Sequence, residues 1–201
     1  MITSDDLYLV IDLDRCWGCR ACEVACKQEH DLECGSAPIQ VVKIGPEATE
    51  DGLSAGYVPV MCQHCEQPAC VDVCPAGAIA RDQHGWVIAS GGACIGCGAC
   101  VSACQYGGIR QNRTDCGISI VKCDLCAERR NMNLPPACLQ HCVGRALALL
   151  SGDLLNRVSA GRQRWSAGKV VYIASSWCRL GAGFGETCPD DAGNLGLEEQ
   201  I

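Results

Sequence analysis

The apolar positions of this chain come in short bursts separated by Gly- and Cys-rich turns, and no run reaches the eighteen or so residues of a bilayer-spanning helix. β-Branched and aliphatic residues crowd positions 8–12, 39–44, 57–61, 86–89, 118–122 and 170–174, and each stretch predicts a short strand. Positions 22–29 (CEVACKQE) predict a helix. Residues 45–56 (GPEATEDGLSAG) are polar, acidic and bounded by glycine, which predicts an exposed loop. Beyond residue 175 the chain is glycine-rich and polar, with a lone Trp177 and Phe184, and is too poor in apolar residues for a domain; a tail that wraps a neighbouring subunit is expected, with a flexible tail as the alternative.

This pattern supplies little core. The chain has 201 residues, one or two small domains' worth, yet nine aromatic side chains (four Trp, four Tyr, one Phe) and twenty-three glycines. What it has instead is twenty cysteines, sixteen of which fall into four runs. They are Cys16-x2-Cys19-x2-Cys22-x3-Cys26; Cys62-x2-Cys65-x4-Cys70-x3-Cys74, followed by Pro75; Cys94-x2-Cys97-x2-Cys100-x3-Cys104; and Cys123-x2-Cys126-x11-Cys138-x3-Cys142. Three closely spaced cysteines can face three irons of one cubane cluster while the fourth points to a neighbouring cluster. Four [4Fe-4S] clusters held by these sixteen thiolates are therefore expected, and their removal is expected to remove the fold. The formal charge of -7 counts every thiol as neutral, so a filled chain is more acidic still, and nucleic acid is excluded as a partner.

Runs one and three repeat one another in spacing and in letters, CWGCRACEVAC against CIGCGACVSAC, with Gly18 and Gly96 in the slot where backbone curls around a cluster. Runs two and three are nineteen residues apart, a layout that resembles the two halves of a bacterial two-cluster ferredoxin. Pairing them leaves runs one and four to each other. The expected fold is α+β, with two nested ferredoxin-like modules: an outer one from residues 1–56 and 117–174, an inner one from 57–116, and a tail at 175–201. The crossed rule then predicts the ligand sets Cys62, Cys65, Cys70 with Cys104; Cys94, Cys97, Cys100 with Cys74; Cys16, Cys19, Cys22 with Cys142; and Cys123, Cys126, Cys138 with Cys26. Zinc favours two Cys-x2-Cys pairs per ion, which runs of the x2-x2-x3 form do not supply. The spacings of S-adenosylmethionine radical chemistry and of haem attachment are absent.

The residues Met61-Cys-Gln-His-Cys-Glu-Gln-Pro-Ala-Cys70, Lys122-Cys-Asp-Leu-Cys126, Leu134-Pro-Pro-Ala-Cys138 and Cys142-Val-Gly144 carry a family resemblance. Over about residues 7–150 the chain resembles the four-cluster iron–sulfur subunits of dimethyl sulfoxide reductase, polysulfide and thiosulfate reductase and formate dehydrogenase complexes, a type that also accompanies tungsten aldehyde oxidoreductases. The resemblance implies a noncatalytic subunit that relays single electrons between a molybdenum or tungsten pterin subunit and a membrane anchor, flavoprotein or soluble carrier. Two other readings stand beside it: a free polyferredoxin, and a hydrogenase-linked or maturation ferredoxin. The acidic start, without a signal peptide or twin-arginine pattern, predicts a cytoplasmic location, or export on a partner's signal. Ferredoxin runs usually close with proline, but Lys27, Gln105 and Val143 follow Cys26, Cys104 and Cys142 here, which restores backbone N–H groups near those clusters.

Other residues invite a role. Cys34, Cys116, Cys178 and Cys188 match no ligand spacing and read as spare thiols rather than a fifth site. His64 and His141, beside ligands, read as local hydrogen-bond partners. Lys27, Arg110, Lys122, Arg129 and Arg130 read either as solvated cations or as counter-charges to the clusters. The glycines at 181, 183 and 185 leave too little chain for a dinucleotide-binding unit.

Overall fold

A computed structural model describes residues 6–32, 37–49, 52–114 and 117–176. Its frame is a four-stranded sheet in the order β8 (Leu147–Ser151), β1 (Leu7–Asp12), β10 (Val170–Ala174), β9 (Gln163–Ser166). β1 runs parallel to β10, with Leu9 opposite Val170, and antiparallel to β8. Alternation along β1 and β10 sends Leu9, Ile11, Val170 and Tyr172 to one face and Val10, Val171 and Ile173 to the other. The second face is covered by Leu155 of α6 (Gly152–Val158). The first meets Ile39, Met61, Trp86 and Leu125 in the main core.

Three hairpins complete the strand content: β2 (Ile39–Thr49) with β3 (Gly52–Met61), β4 (Ile79–Arg81) with β5 (Val87–Ala89), and β6 (Ile109–Thr114) with β7 (Gly117–Lys122). Helices are short except α1 (Ala21–Glu29), which packs on α5 (Ala137–Gln140); α2 (Ala69–Asp72), α3 (Ala99–Ser102) and α4 (Ala127–Asn131) are little more than one turn. Mixed helix and strand content in small sheets makes the fold α+β, as expected. Among the described residues no helix is long and apolar enough to cross a membrane.

One expectation is overturned. Residues 45–49 and 52–56 are not a loop but the distal halves of β2 and β3. Pairing decides this against composition: each strand supplies the other's hydrogen bonds, and a bulge between residues 44 and 47 takes Gly45 and Pro46 out of the regular ladder. The hairpin end is exposed, with Leu53 81% accessible. The four spare cysteines, the glycines at 181–185, Trp177 and Phe184 lie outside the described residues.

Candidate metal centres

Each run of cysteines is shaped by the same backbone device. The residue just before the second cysteine takes a left-handed conformation in all four: Gly18 (φ 74°), His64 (47°), Gly96 (69°) and Leu125 (57°). The turn swings two sulfurs to the same side within three residues. Glycine adopts it without strain, and the crowding at Gly18 leaves no room for more, since an added Cβ would lie 2.4 Å from the Tyr57 ring. A second device recurs after the fourth cysteine. Ala78, Gly108 and Ala146 each donate a backbone N–H to the sulfur four residues back, at 3.2 Å to Cys74, 3.3 Å to Cys104 and 3.2 Å to Cys142. These N–H donors lie four residues on, not in the slot that proline usually fills. Cys26 differs because α1 continues through it, and the N–H of His30 bonds the Cys26 carbonyl instead.

The fold brings cysteines of different runs together. One hollow is lined by Cys16, Cys19, Cys22 and Cys142, with Trp17 and Pro59 beside them. A second is lined by Cys74, Cys94, Cys97 and Cys100, with Ile95 and Ile120. Cys65 lies within electrostatic reach of Cys62, Cys104 and Cys70, and Cys138 within reach of Cys123, Cys126 and Cys26, with Cys22 acting on it more weakly. Cys62 also lies within electrostatic reach of Cys123, so these last two groups are neighbours. Cys19 and Cys97 are the exposed members of the sixteen.

Burial sets the electrostatics. Burial first, and then neighbouring thiols or carboxylates, push the Cys22 and Cys123 thiols up to about 12 and those of Cys65 and Cys70 up to about 11. Cys138 is driven well above the ordinary thiol range, first by burial and then by Cys123, Cys126 and Cys26. Cys74 is the exception: burial acts to raise it, but the N–H groups of Ala78, Ala76, Ile79 and Gly77 together bring it below that range. Four buried thiols facing one another resist ionising on their own. A cationic iron core reverses both penalties, because it attracts the thiolates that burial and mutual repulsion disfavour. The donor set, the hollows and the N–H···S bonds all suit iron–sulfur clusters.

Comparison with known proteins agrees. Residues 53–151 and residues 15–78 each match a family described as a 4Fe-4S dicluster domain. The chain is 39% identical over 171 residues to the thiosulfate reductase electron transfer subunit PhsB of Salmonella typhi, covering 84% of this chain and 85% of that one. It is 38% identical over 144 residues to one of the chains of the anaerobic dimethyl sulfoxide reductase of Escherichia coli, covering 68% and 69%. This protein therefore belongs to the family of reductase iron–sulfur subunits. A more distant member, a tetrathionate reductase subunit of Salmonella typhimurium, is 34% identical over 148 residues, 73% of this chain and 57% of that one.

Around the centres of this iron–sulfur subunit, the polar residues that invited a role separate. His64 is fully buried: its Nδ1 accepts the Val87 N–H at 3.0 Å, and its ring stands edge-on to Trp86. A neutral ring with an accepting Nδ1 carries its hydrogen on Nε2, which has no partner among the described residues. Burial first, then Lys122, Arg130, Arg81 and Lys169, hold its pKa well below the usual histidine value. His141 is exposed, with Nδ1 3.0 Å from the carbonyl of Ala137 in its own helix. Arg129 pairs with Glu29 at 2.8 Å, Arg130 lies over Trp86 and near Asp82, and Arg110 bonds Gln40. Lys122 is buried, which removes its solvated reading.

One residue escaped the sequence reading. His30 brings Nε2 within 3.6 Å of Cys126 Sγ and 3.7 Å of Asp124. The signal was present in its position, four residues after Cys26 and so on the same face of α1.

Proposed function

We propose that this chain is the noncatalytic electron-transfer subunit of a molybdenum or tungsten pterin reductase complex, passing single electrons through four [4Fe-4S] clusters to or from a second redox partner. The observation that supports the reading is the meeting of cysteines from paired runs in two four-cysteine hollows, in a chain of which 84% matches a thiosulfate reductase electron transfer subunit. The ligand sets we assign are Cys16, Cys19, Cys22 and Cys142; Cys26, Cys123, Cys126 and Cys138; Cys62, Cys65, Cys70 and Cys104; and Cys74, Cys94, Cys97 and Cys100. In every set three ligands come from one run and one from its paired run. That crossing supports two nested modules, residues 1–56 with 117–174 around 57–116.

A bound cluster of this type takes up and gives back one electron at a time. The chain's residues supply the order and the setting. Cys22 and Cys26 share α1, Cys62 reaches Cys123, and Cys70 and Cys74 share the segment around α2, so the four sets follow one another as a line. The two end sets carry the exposed cysteines, Cys19 beside Trp17 and Cys97 beside Ile95, and those two ends are where partners exchange electrons with the line. The apolar residues clustered with Cys26, Cys123 and Cys138, among them Leu125, Trp86 and Met61, keep water from that middle set.

The test is strictly anaerobic purification of the tagged chain from its host, with metal analysis and mass spectrometry of what remains bound. About sixteen irons on this chain and a pterin-bearing large subunit are expected. An iron-loaded chain recovered without any large subunit would favour a free polyferredoxin, and a chain carrying zinc instead of iron would overturn the cluster assignment.

A further inference from the structure

The junction between the two middle cysteine groups holds a buried cation that pairs with no acid among the described residues. Lys122 ends β7 and is 8% exposed. Its Nζ donates to two backbone carbonyls, those of Val87 and, at 2.7 Å, Cys123. Among the described residues no carboxylate comes within ion-pair distance of it, whereas Arg129 and Arg130 each have one and Arg162 has two. Carbonyl dipoles solvate an ammonium but do not neutralise it, and a buried charge without a counter-charge is strongly unfavourable. The adjacent imidazole offers no negative charge either. His64 is buried among Lys122, Arg130, Arg81 and Lys169, so this corner of the protein concentrates positive charge in a chain that is acidic overall.

Lys122 directly precedes Cys123 and bonds its carbonyl, and thiols of two groups lie within its electrostatic reach. Its charge acts on Cys70, in the group with Cys62, Cys65 and Cys104, and on Cys123, in the group with Cys26, Cys126 and Cys138, in each case against the burial that disfavours the thiolate. One ammonium therefore faces two groups, and these are the two that Cys62 and Cys123 bring within electrostatic reach of one another.

We propose that Lys122 is the shared counter-cation of the two middle clusters, a positioning residue whose fixed charge raises the reduction potential of both and lessens their repulsion when both are reduced. The inference rests on the ligand sets assigned above. Lys122 gains and loses neither electron nor proton in this role; the electron that reduces either cluster comes along the line from the redox partner. The reduced form of each neighbour is the more negative one, so the ammonium favours it.

The experiment compares the wild-type complex, isolated anaerobically, with Lys122→Met and Lys122→Arg, reading iron per chain and the midpoint potential of each centre by redox titration followed by electron paramagnetic resonance. In the Met variant two of the four centres are expected to become harder to reduce. Their reduced-to-oxidised ratio at a given ambient potential should fall about tenfold, equivalent to 59 mV for a one-electron couple, while the other two stay in place. The Arg variant should restore most of the shift. Unchanged potentials in an iron-loaded Met variant, or four potentials moving together, would overturn the proposal. If the Met variant fails to hold iron, the Arg variant decides: recovered iron assigns the role to charge, and equal failure assigns it to side-chain shape and sinks the proposal. Failure of the ligand assignment itself shows separately, as a wild-type chain with fewer than four centres.

Discussion

Leu125 is asked to do two things that oppose one another. It sits in the left-handed slot before Cys126, a conformation that costs a non-glycine residue about 1–2 kcal/mol. It also buries its side chain to 1% exposure in the main core, which contributes about 1.5–3 kcal/mol. Burial wins narrowly, which is why a leucine stands where runs one and three have glycine. Leu125→Ala keeps the strain and loses the packing, so it should destabilise the cluster-loaded protein by about 2–4 kcal/mol. Leu125→Gly loses the same packing but relaxes the backbone, and should be the milder change by about 1 kcal/mol. The guanidinium concentration that bleaches the visible cluster absorbance ranks the two; an Ala variant more stable than the Gly variant would show that the slot is not strained. His64 makes the same trade in run two, with its ring stacked edge-on to Trp86.

Among elements, the approach to the first cysteine is fixed by one arginine. Arg162, just before β9, donates Nη1 to Asp12 at 2.9 Å and Nη2 to Asp14 at 2.8 Å, and Asp14 also accepts from Ser175 beyond β10. This clamp holds the 3-10 turn Leu13–Arg15, and so Cys16, against the four-stranded sheet. Arg162→Ala leaves two carboxylates facing each other and should cost about 1–2 kcal/mol, discounted for their partial exposure. Arg162→Lys should recover no more than about half, because an ammonium cannot span both carboxylates as the guanidinium fork does. Iron release on mild heating should start earlier in the Ala variant, and an unchanged onset would show that the sheet alone positions Cys16. Legibility follows the same division between local and distant contacts. Val170–Ala174, the helix ending at Glu29 and the strand around Ile11 were readable because β-branched or helix-favouring residues declare them locally. β6, β8, α6 and β9 were not singled out, since residues 147–158 change from strand to helix only through pairing with β1 and packing of Leu155 on its far face. The triples of cysteines are likewise local in the sequence, and the crossed rule pairs Cys142 with run one, whereas the closeness of His30 to Cys126 depends on α1 meeting the segment around α5.

At the scale of the whole molecule, the apolar core is divided unevenly between side chains and cysteines. The sheet has a face of its own, Val10, Val171, Ile173 and Leu155, that contains no cysteine. The hairpins β4–β5 and β6–β7 instead share a small cluster in which Ile79, Val87 and Ile109 surround Cys100, with Cys70, Cys74 and Cys104 packed against it. Two-stranded hairpins are marginal without such support. Stripping iron with a chelator under anaerobic conditions leaves like thiols around hollow centres, and should therefore unfold the parts in sequence. Amide hydrogen exchange is expected to accelerate first and furthest, by several orders of magnitude, in residues 79–89 and 109–122, while β1 and β10 retain part of their protection. Retained protection in the hairpins would show that three aliphatic side chains suffice to hold them and that the clusters are passengers in the fold. Simultaneous loss in the sheet and the hairpins would show a single cooperative unit in which Cys22, Cys26 and Cys138, part of the core on the other face of the sheet, carry the dependence on iron to β1 and β10 as well.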